Sequence, residues 1–312
     1  FFDLLKFFII FYFSLILFWI DSHPNIFTLP YKFFIGTLSE DFWSGWPYTI
    51  INGEYFYSDK VSKLYIIKNI IFKSPEYFLI LYIIFFLLFF KIRLFFLKKI
   101  KNFDYLIIFL LIILSYPHLI MFVLPYNVYD GLRLFIWTIP YYCIIPGLTV
   151  YFIYKNSNIW YSKTLLSSIS ILFIFFIFNF ISLTPYQYIY LNLLTGEKKI
   201  RYLKFENDYW GGSIKELVKK STLKKNEDIL ITSCGINKKL AKKYFKKNGF
   251  SKVRFVNEQS ADYVIMTNRI VEKKIKTNKI ENLTNCYDRY SGKDLNFVKR
   301  NGQVLSIIRK IN

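Results

Sequence analysis

Three polar and aromatic segments carry the side chains best suited to binding a phosphorylated sugar. They lie in residues 40–55, 126–133 and 185–211. Carboxylates accept hydrogen bonds from hydroxyl groups, and arginine binds phosphate through two parallel N–H donors. Aromatic rings in the same segments offer flat faces for sugar rings. The candidate substrate contacts are Trp46, Glu54, Tyr55, Tyr129, Asp130, Arg133, Tyr186 and Asp208.

Asp130 and Arg133 are the strongest of these candidates. They are the only charged residues of a short loop, and Gly131 between them allows the backbone to turn closely under a ligand. A simpler interpretation is an aromatic belt at the level of the lipid head groups, in which the two charges pair with each other or with head groups. That interpretation explains less well why carboxylates, glycines and an arginine gather at the ends of the same apolar segments.

Other catalytic motifs are missing from the sequence. It contains no P-loop, GxGxxG, HExxH or paired CxxC motif. His23 and His118 are the only histidines, so neither a histidine-built metal site nor a Ser-His-Asp triad is supported, and we predict no cofactor. We interpret His118 as a helix-packing group and His23 as an interface residue. Cys143 is interpreted as an apolar filler, whereas pairing of Cys234 with Cys286 stays open, because sequence does not give their Cα separation.

Five apolar segments approach the ~20 residues that a helix needs to cross a bilayer core. They are Leu4–Ile20, Tyr77–Leu97, Phe103–Leu124, Leu134–Tyr154 and Thr164–Leu183. Lys and Arg concentrate in the short connections 91–101 and 155–163, which the positive-inside rule places in the cytoplasm. Loops 21–76 and 126–133 and residues 184–312 then lie on the opposite side.

Charge divides the chain into two parts. Residues 184–312 hold 28 Lys+Arg against 12 Asp+Glu, while residues 1–183 hold 14 against 9. This division excludes a single soluble globule, a disordered chain and a disulfide scaffold. We predict a polytopic α-helical membrane domain, residues 1–183, and a small extracytoplasmic α/β domain, residues 184–312. No nucleic-acid reading motif accompanies the basic charge, so we predict no nucleic-acid partner.

Shorter elements are predicted in both parts. Amphipathic helices along the interface would suit Tyr31–Leu38 and Val61–Phe72 of the long loop. The C-terminal part reads as helices at Ser213–Ser221 and Asn237–Asn248, strands at Ile229–Ser233, Val253–Val256 and Tyr263–Met266, and a hairpin around Asn301-Gly302. No acid–base or nucleophile constellation appears between Ser213 and Asn312, so we expect this part to be accessory.

The polar segments resemble the protein O-mannosyltransferase-like, aminoarabinose-transferase-like branch of the GT-C membrane glycosyltransferases. The matching stretches are residues 46–48 with 52–58, 73–76, 129–133 with 139–140, 185–192, and 208–216. Each is short, and the likeness lies in their order and their placement relative to the spans. Leu134 is a departure, since relatives often carry His after the Arg of the Asp-Gly-x-Arg segment, and no imidazole role is carried over.

The resemblance implies an enzyme of the bacterial inner (cytoplasmic) membrane that moves a sugar from a polyprenyl-phosphate donor to an acceptor outside. Its partners would be the lipid-linked donor, membrane lipids, and a glycan, lipid or protein acceptor. The family's central acidic residues lie on a first outside loop that no segment here matches, and the chain opens at Phe1 inside an apolar run. We therefore expect a C-terminal fragment whose catalytic residues lie upstream, with Arg or Lys here stabilising the leaving phosphate.

Two other classes of function stay open. A transporter or flippase for a lipid-linked or anionic substrate predicts ionisable residues buried in mid-span and inverted repeats. The spans here are nearly free of charge away from their ends, which disfavours it. A non-catalytic membrane scaffold with an outside binding domain is the third class.

Overall fold

The computed structural model describes residues 2–18, 23, 25–28, 31–32, 35, 45–123, 127–156, 160–273 and 282–311. The chain divides into two compact units, Phe1–Gly45 and Trp46–Asn312. In the first unit the apolar helix α1 covers Phe2–Phe18 and overlaps the first predicted span, Leu4–Ile20. The hydroxyl of Tyr12 donates to the carbonyl oxygen of Ile26 at 2.6 Å. Most of the predicted interfacial helix Tyr31–Leu38, and residues 40–44 of the first polar segment, lie outside the described residues.

Three helical segments of the second unit are long and apolar enough to cross a membrane. They are α5 (Phe103–Val123), a 3-10 turn at Arg133–Thr138 that continues into α6 (Ile139–Lys155), and α7 (Trp160–Ser182). Only 6% of the apolar window of α7 is buried within the protein. So large an uncovered apolar face is typical of a surface that meets lipid.

The predicted span Tyr77–Leu97 is not one continuous helix. It comprises α3 (Glu76–Leu87) and α4 (Phe89–Leu97), which are separated at Leu88. The preceding helix α2 (Tyr65–Lys73) meets α3 at a bend of 114°. If this bent pair is one span, the described chain has up to four candidate spans, so the predicted count of about five is not confirmed.

Pro75 explains the bend. It has no N–H to continue the hydrogen-bonding of α2, and its ring disfavours helical geometry at the preceding residue. Ser74 is accordingly extended, with φ −84° and ψ 147°. The bend leaves Lys73 as the last residue of α2 and Glu76 as the first residue of α3.

The long loop contains a hairpin that the sequence analysis did not predict. Strands β1 (Tyr48–Ile51) and β2 (Glu54–Tyr57) pair antiparallel. Asn52 and Gly53, with φ of 51° and 91°, form the two-residue turn that this dipeptide favours. The predicted helix Val61–Phe72 is present as α2, with Tyr65, Ile66 and Asn69 buried.

The C-terminal part contains a five-stranded mixed sheet in the order β4-β3-β5-β9-β8. Strand β3 pairs in parallel with β4 on one side and β5 on the other, while β9 runs antiparallel to β5 and β8. The bounds are β3 Ile229–Cys234, β4 Val253–Phe255, β5 Tyr263–Thr267, β8 Gly292–Arg300 and β9 Gln303–Ile311. The hairpin predicted at Asn301-Gly302 joins β8 and β9.

Two helices cover one face of this sheet, α8 (Ile214–Lys219) and α9 (Lys238–Lys247). Asn237 caps α9 by accepting hydrogen bonds from the N–H groups of Lys239 and Leu240. The shared core includes Leu217, Ile231, Ala241, Phe245, Ile265 and Leu305, all 1% exposed or less. The helices, strands and hairpin predicted for this part are therefore confirmed.

A second small sheet lies beside the first. Strands β6 (Ile270–Glu272) and β7 (Leu283–Asn285) pair antiparallel, and the short helix α10 (Cys286–Arg289) follows. None of these elements was predicted. A disulfide joins Cys234 at the end of β3 to Cys286 at the start of α10, with Cα atoms 5.8 Å apart. The structure thus decides the pairing that the sequence left open.

Candidate functional site

The loop between α5 and α6 turns sharply at Asp130 and Gly131. Both residues have a left-handed backbone, with φ of 56° and 67°. Aspartate tolerates this region better than most residues, and glycine adopts it freely. The turn is held by the buried hydroxyl of Tyr65, which donates to the carbonyl oxygen of Gly131 at 2.9 Å. A Cβ atom at Gly131 would lie 2.2 Å from Nζ of Lys73, so the absence of a side chain lets this lysine pack against the turn.

Asp130 is buried between two arginines. Its Oδ1 lies 2.8 Å from Nη2 of Arg269, and its Oδ2 lies 3.1 Å from Nη1 of Arg133. The side chains of Asp130 and Arg269 are 2% and 7% exposed, whereas that of Arg133 is 46% exposed. The carboxylate therefore joins a buried arginine to one that still reaches solvent.

Arg269 comes from the C-terminal sheet domain, in the connection between β5 and β6. Its Nε and Nη2 donate to the carbonyl oxygen of Tyr209 at 3.1 and 2.7 Å. The guanidinium lies over the ring of Trp46, 4.5 Å from the centroid, and the indole N–H of Trp46 donates to the carbonyl oxygen of Ile270 at 3.0 Å. The stacking and hydrogen bonds fix the plane of this guanidinium.

Buried asparagines and the disulfide hold the backbone at Arg269. Asn268 accepts from the N–H of Asn207 at 3.1 Å, and its amide donates to the carbonyl oxygen of Phe205 at 2.9 Å. The side chain of Asn285 donates to the carbonyl oxygen of Asn268 at 3.0 Å. The N–H of Cys286, a disulfide partner, donates to the carbonyl oxygen of Arg269 at 2.9 Å. Asp130 and Arg269, which are 139 positions apart in sequence, therefore meet on a backbone that is held in place.

Two further charged residues, Lys73 and Glu206, belong to the same cluster. Glu206 is 6% exposed, and neither of its carboxylate oxygens makes a hydrogen bond of normal geometry. Burial raises the pKa of Glu206 to about 7; Arg269 and Lys73 oppose the rise, and Asp130 adds to it. The cluster thus contains three basic side chains, Lys73, Arg133 and Arg269, against two carboxyl groups, and it favours an added anion.

A cavity of about 240 Å³ lies between α2, α3 and α6, next to this cluster. Lys73 and Leu132 form part of its wall, so the cavity begins at the Asp130 turn. The other lining residues are Ile70, Ser74, Pro75, Tyr77, Phe78, Thr138, Ile139, Tyr142 and Cys143. An apolar chamber with one ammonium group in its wall suits a ligand with a hydrocarbon tail and an anionic head.

Asp208 is also buried, but its hydrogen bonds stay within its own segment. Its carboxylate accepts from the N–H groups of Gly212 and Ser213 at 2.8 and 2.9 Å, and from the hydroxyls of Ser213 and Tyr188. Burial, together with the nearby Asp208 charge, raises the pKa of Tyr188 far above its ordinary value. Asp208 therefore fixes a turn and has no oxygen left over for a ligand.

The Asp208 turn nevertheless contributes to the site through the two residues that follow it. Tyr209 supplies the carbonyl oxygen that holds Arg269. The ring centroid of Trp210 lies 5.8 Å from the guanidinium carbon of Arg133, and the Trp210 side chain is exposed. Arg133 and Trp210 together form the part of the site that solvent reaches.

The other predicted contacts lie elsewhere. Tyr186 is buried and donates to Glu216 at 3.0 Å, with the guanidinium of Arg300 5.1 Å from its ring centroid. Burial opposes ionisation of Glu216, but hydrogen bonds from Lys220, Arg300 and Tyr186 lower its pKa to about 2. This cluster stabilises the junction between the end of α7 and the sheet.

Glu54 and Tyr55 lie on the β1–β2 hairpin, and Tyr129 lies half-buried in the Asp130 loop. Glu54 is exposed and 3.7 Å from Nζ of Lys68. Tyr55 packs against the cluster of Ile50, Ile270 and Leu283, which links the hairpin to β6 and β7. The structure thus groups Trp46, Tyr129, Asp130 and Arg133 and places the remaining predicted contacts apart from them.

The residues that sequence reasoning missed are Lys73, Glu206 and Arg269. Lys73 lies inside one of the matching stretches, directly before the Ser74-Pro75 break, and that break is a signal that marks it as a helix end. Arg269 follows a buried strand, which is a common position for functional side chains, but nothing local connects it with Asp130. Arg269 lies in the part of the chain that we expect to be accessory, yet it is the buried partner of Asp130.

Other candidates have ordinary roles. Nε2 of His118 on α5 lies 3.0 Å from the hydroxyl of Tyr142 on α6, which matches the helix-packing interpretation. His23 lies 3.0 Å from the carbonyl oxygen of Ile16. Within the described ranges, no group of three or more His, Cys, Asp or Glu residues is placed to hold a metal ion.

Comparisons with known proteins identify no relative for this arrangement. No protein-family model, no curated protein and no solved structure matches the chain. The site is therefore interpreted from its own residues.

Proposed function

We propose that this protein binds a polyprenyl-phosphate-linked sugar and serves glycosyl transfer at a membrane surface. The observation that carries the proposal is the apolar cavity of about 240 Å³ with Lys73 in its wall, next to a cluster with an excess of basic groups. The first isoprenoid units would occupy the cavity, and the phosphate would lie between Lys73 and Arg133. Trp210 beside Arg133 offers an aromatic face for the sugar.

The same charges suit the chemistry of transfer. When the bond between the anomeric carbon and the phosphate oxygen breaks, negative charge develops on the phosphate. Lys73 and Arg133, held in place around the Asp130 turn, would stabilise that charge, which is the role expected of preorganised cations in a site of low dielectric constant. Arg269 pairs with Asp130 and keeps the aspartate buried and oriented.

We further propose that residues 184–312 lie outside a bacterial inner membrane and that the short basic connections face the cytoplasm. The Cys234–Cys286 disulfide supports this orientation, because such bonds persist in oxidising compartments. A Lys225→Cys variant in a Cys143→Ser background should react with a membrane-impermeant maleimide in intact cells. Labelling that requires permeabilised cells would reverse the proposed orientation.

Lipid binding is the first test of the proposed function. The protein, expressed from its own complete gene and held in lipid nanodiscs, is titrated with farnesyl phosphate and with farnesol. We expect the phosphate to bind at least tenfold more tightly than the alcohol. Arg133→Ala should reduce that preference, while Arg254→Ala, which removes an exposed arginine of the sheet domain, should leave it unchanged. Equal affinity for both lipids would contradict the proposal.

Transfer is the second test. The same preparation is incubated with radiolabelled polyprenyl-phosphate sugar and membrane extracts that supply acceptors. Release of polyprenyl phosphate with label in a glycan, lipid or protein fraction would support the transferase. Transbilayer movement of the lipid with the sugar still attached would support a flippase instead.

A further inference from the structure

Glu206 is a buried carboxyl group that is only weakly hydrogen-bonded within the fold. Its neighbours on the chain are fixed: Phe205 forms a bridge with Ile51, and the N–H of Asn207 donates to Asn268 at 3.1 Å. Neither carboxylate oxygen makes a hydrogen bond of normal geometry, although the backbone N–H of Ile270 lies close enough to favour the ionised form. An ionisable group left in this state is costly to the fold unless nearby charges compensate it.

The charges and titratable groups around Glu206 come from every element packed against it. Arg269 comes from the β5–β6 connection, Asp130 from the α5–α6 loop, and Lys73 and Tyr65 from α2. Tyr209 follows Glu206 on its own segment. Arg269 is already committed to Asp130, whereas Lys73 lies in the wall of the cavity, where a ligand can share its charge.

We propose that Glu206 takes up a proton when a phosphate head group binds against Lys73, so that anionic ligand binding is coupled to proton uptake. The inference rests on the binding site of the proposed function and adds a residue that regulates it. A phosphate beside Lys73 offsets the positive potential that stabilises the ionised Glu206, and the neutral acid becomes the favoured form. The proton comes from solvent and binds to a carboxylate oxygen, and no covalent bond between heavy atoms changes.

The electrostatics of the free protein place this change near neutral pH. Burial raises the pKa of Glu206 to about 7, and a ligand that counters Lys73 would raise it further. At pH 7.5 a large share of the free protein is therefore ionised at Glu206, and we expect ligand binding to shift this group toward its neutral form. We expect an uptake of about half a proton or more per bound ligand at that pH.

Calorimetry measures this coupling directly. Farnesyl phosphate is titrated into the detergent-solubilised protein at pH 7.5 in two buffers of different ionisation enthalpy, and the difference in binding heat gives the protons exchanged. Glu206→Gln, which resembles the neutral acid, should bind the lipid at least threefold more tightly than wild type at pH 7.5 and exchange at least half a proton fewer. Glu227→Gln, an exposed carboxyl of the same domain, should match wild type in both. The lipid's own phosphate also exchanges protons, so the result that tests the coupling is the difference of Glu206→Gln from both wild type and Glu227→Gln, and not the absolute proton number.

A spectroscopic measurement keeps the inference testable if Glu206→Gln is poorly folded. Difference infrared spectra of the wild-type protein should gain a protonated-carboxyl C=O band when farnesyl phosphate is added. Binding with no such band, or with equal proton exchange in Glu206→Gln, overturns the coupling and leaves the proposed function standing. Absence of any binding overturns both. If inorganic phosphate binds as tightly as farnesyl phosphate and elicits the same band, the coupling stands but the lipid-linked ligand does not.

Discussion

Asp130 and Asp208 are two buried aspartates of the same chain whose surroundings differ in kind. Asp208 is held by N–H and hydroxyl donors, all neutral, and its backbone partners lie within five residues of it. Asp130 is held by two guanidinium groups, one of them 139 residues away. The first arrangement closes a turn. The ion pairs of Asp130 instead hold groups of opposite charge together where the helices meet the sheet.

The comparison shows why burial of a carboxylate does not by itself mark a functional site. Neutral donors that satisfy all of its lone pairs leave Asp208 with nothing to offer a ligand. Charged partners leave Asp130 in a cluster where the balance of charge depends on what is bound nearby, because Lys73 and Arg133 lie beside a cavity and at the solvent-exposed edge. We expect the two residues to respond differently to substitution.

The largest effect should come from Asp130→Ala. It leaves the guanidinium of Arg269 buried without its carboxylate, which typically costs about 3–5 kcal/mol. We expect a large fall in the thermal midpoint in detergent, followed by tryptophan fluorescence, together with loss of farnesyl phosphate selectivity. Asp228→Ala, which breaks an exposed pair with Arg254, should shift the midpoint little. Similar midpoints for the two variants would show that the buried pair is not a structural feature of the folded protein.

Asp208→Ala should have the next largest effect. It leaves two N–H groups and two hydroxyls without their acceptor, at a cost of about 3 kcal/mol in all. Its folded fraction should nevertheless keep the wild-type preference for farnesyl phosphate over farnesol, since no charge of the Asp130 cluster is removed. If the fully folded Asp208→Ala variant had a changed preference for farnesyl phosphate, the proposed difference between the two aspartates would be wrong.

Arg133→Lys should lower the transfer rate at least tenfold, about 1.4 kcal/mol, with membrane insertion unchanged. Lysine keeps the charge but lacks the planar pair of donors that can hold Asp130 and a phosphate together. The measurement is single-turnover transfer by the complete protein, with Arg254→Lys as the matched control. Near-normal transfer rates in both Arg133→Lys and Arg133→Ala would show that Arg133 has no role in transfer and only contacts the lipid head groups.

Glu206→Gln is the stabilising change of this series, and the size of its effect should depend on pH. An acid whose pKa is raised to about 7 from the ordinary 4.5 binds a proton more tightly in the folded state, so its ionisation destabilises the fold as pH rises from 4.5 to 7. The variant should match wild type near pH 4.5 and have a thermal midpoint a few degrees higher above pH 7. A constant difference across this range would contradict the assigned environment of Glu206.

Local patterns predicted the elements that depend on local physics. The run Asn237–Gly249 has a capping asparagine, periodic apolar positions and a terminal glycine, and it forms α9 where expected. The Asn301-Gly302 turn likewise joins β8 and β9. The equivalent Asn52-Gly53 signal was present and would have predicted the β1–β2 hairpin. By contrast, the predicted span Tyr77–Leu97 is apolar apart from Lys91 and Arg93, and its composition gave no sign of the break at Leu88.

By itself, the sequence determined that the chain has apolar helices of spanning length, a polar C-terminal sheet domain, and a turn at Asp130-Gly131-Leu132-Arg133 carrying opposite charges. These features follow from hydrophobic periodicity, turn chemistry and charge along a short stretch of chain. Only the tertiary structure decided that Arg269 pairs with Asp130, that Cys234 pairs with Cys286, and that Glu206 and Lys73 belong to the same cluster. The physical reason is that these contacts join distant segments, and their register is set by how the sheet packs against the helix ends rather than by any local preference.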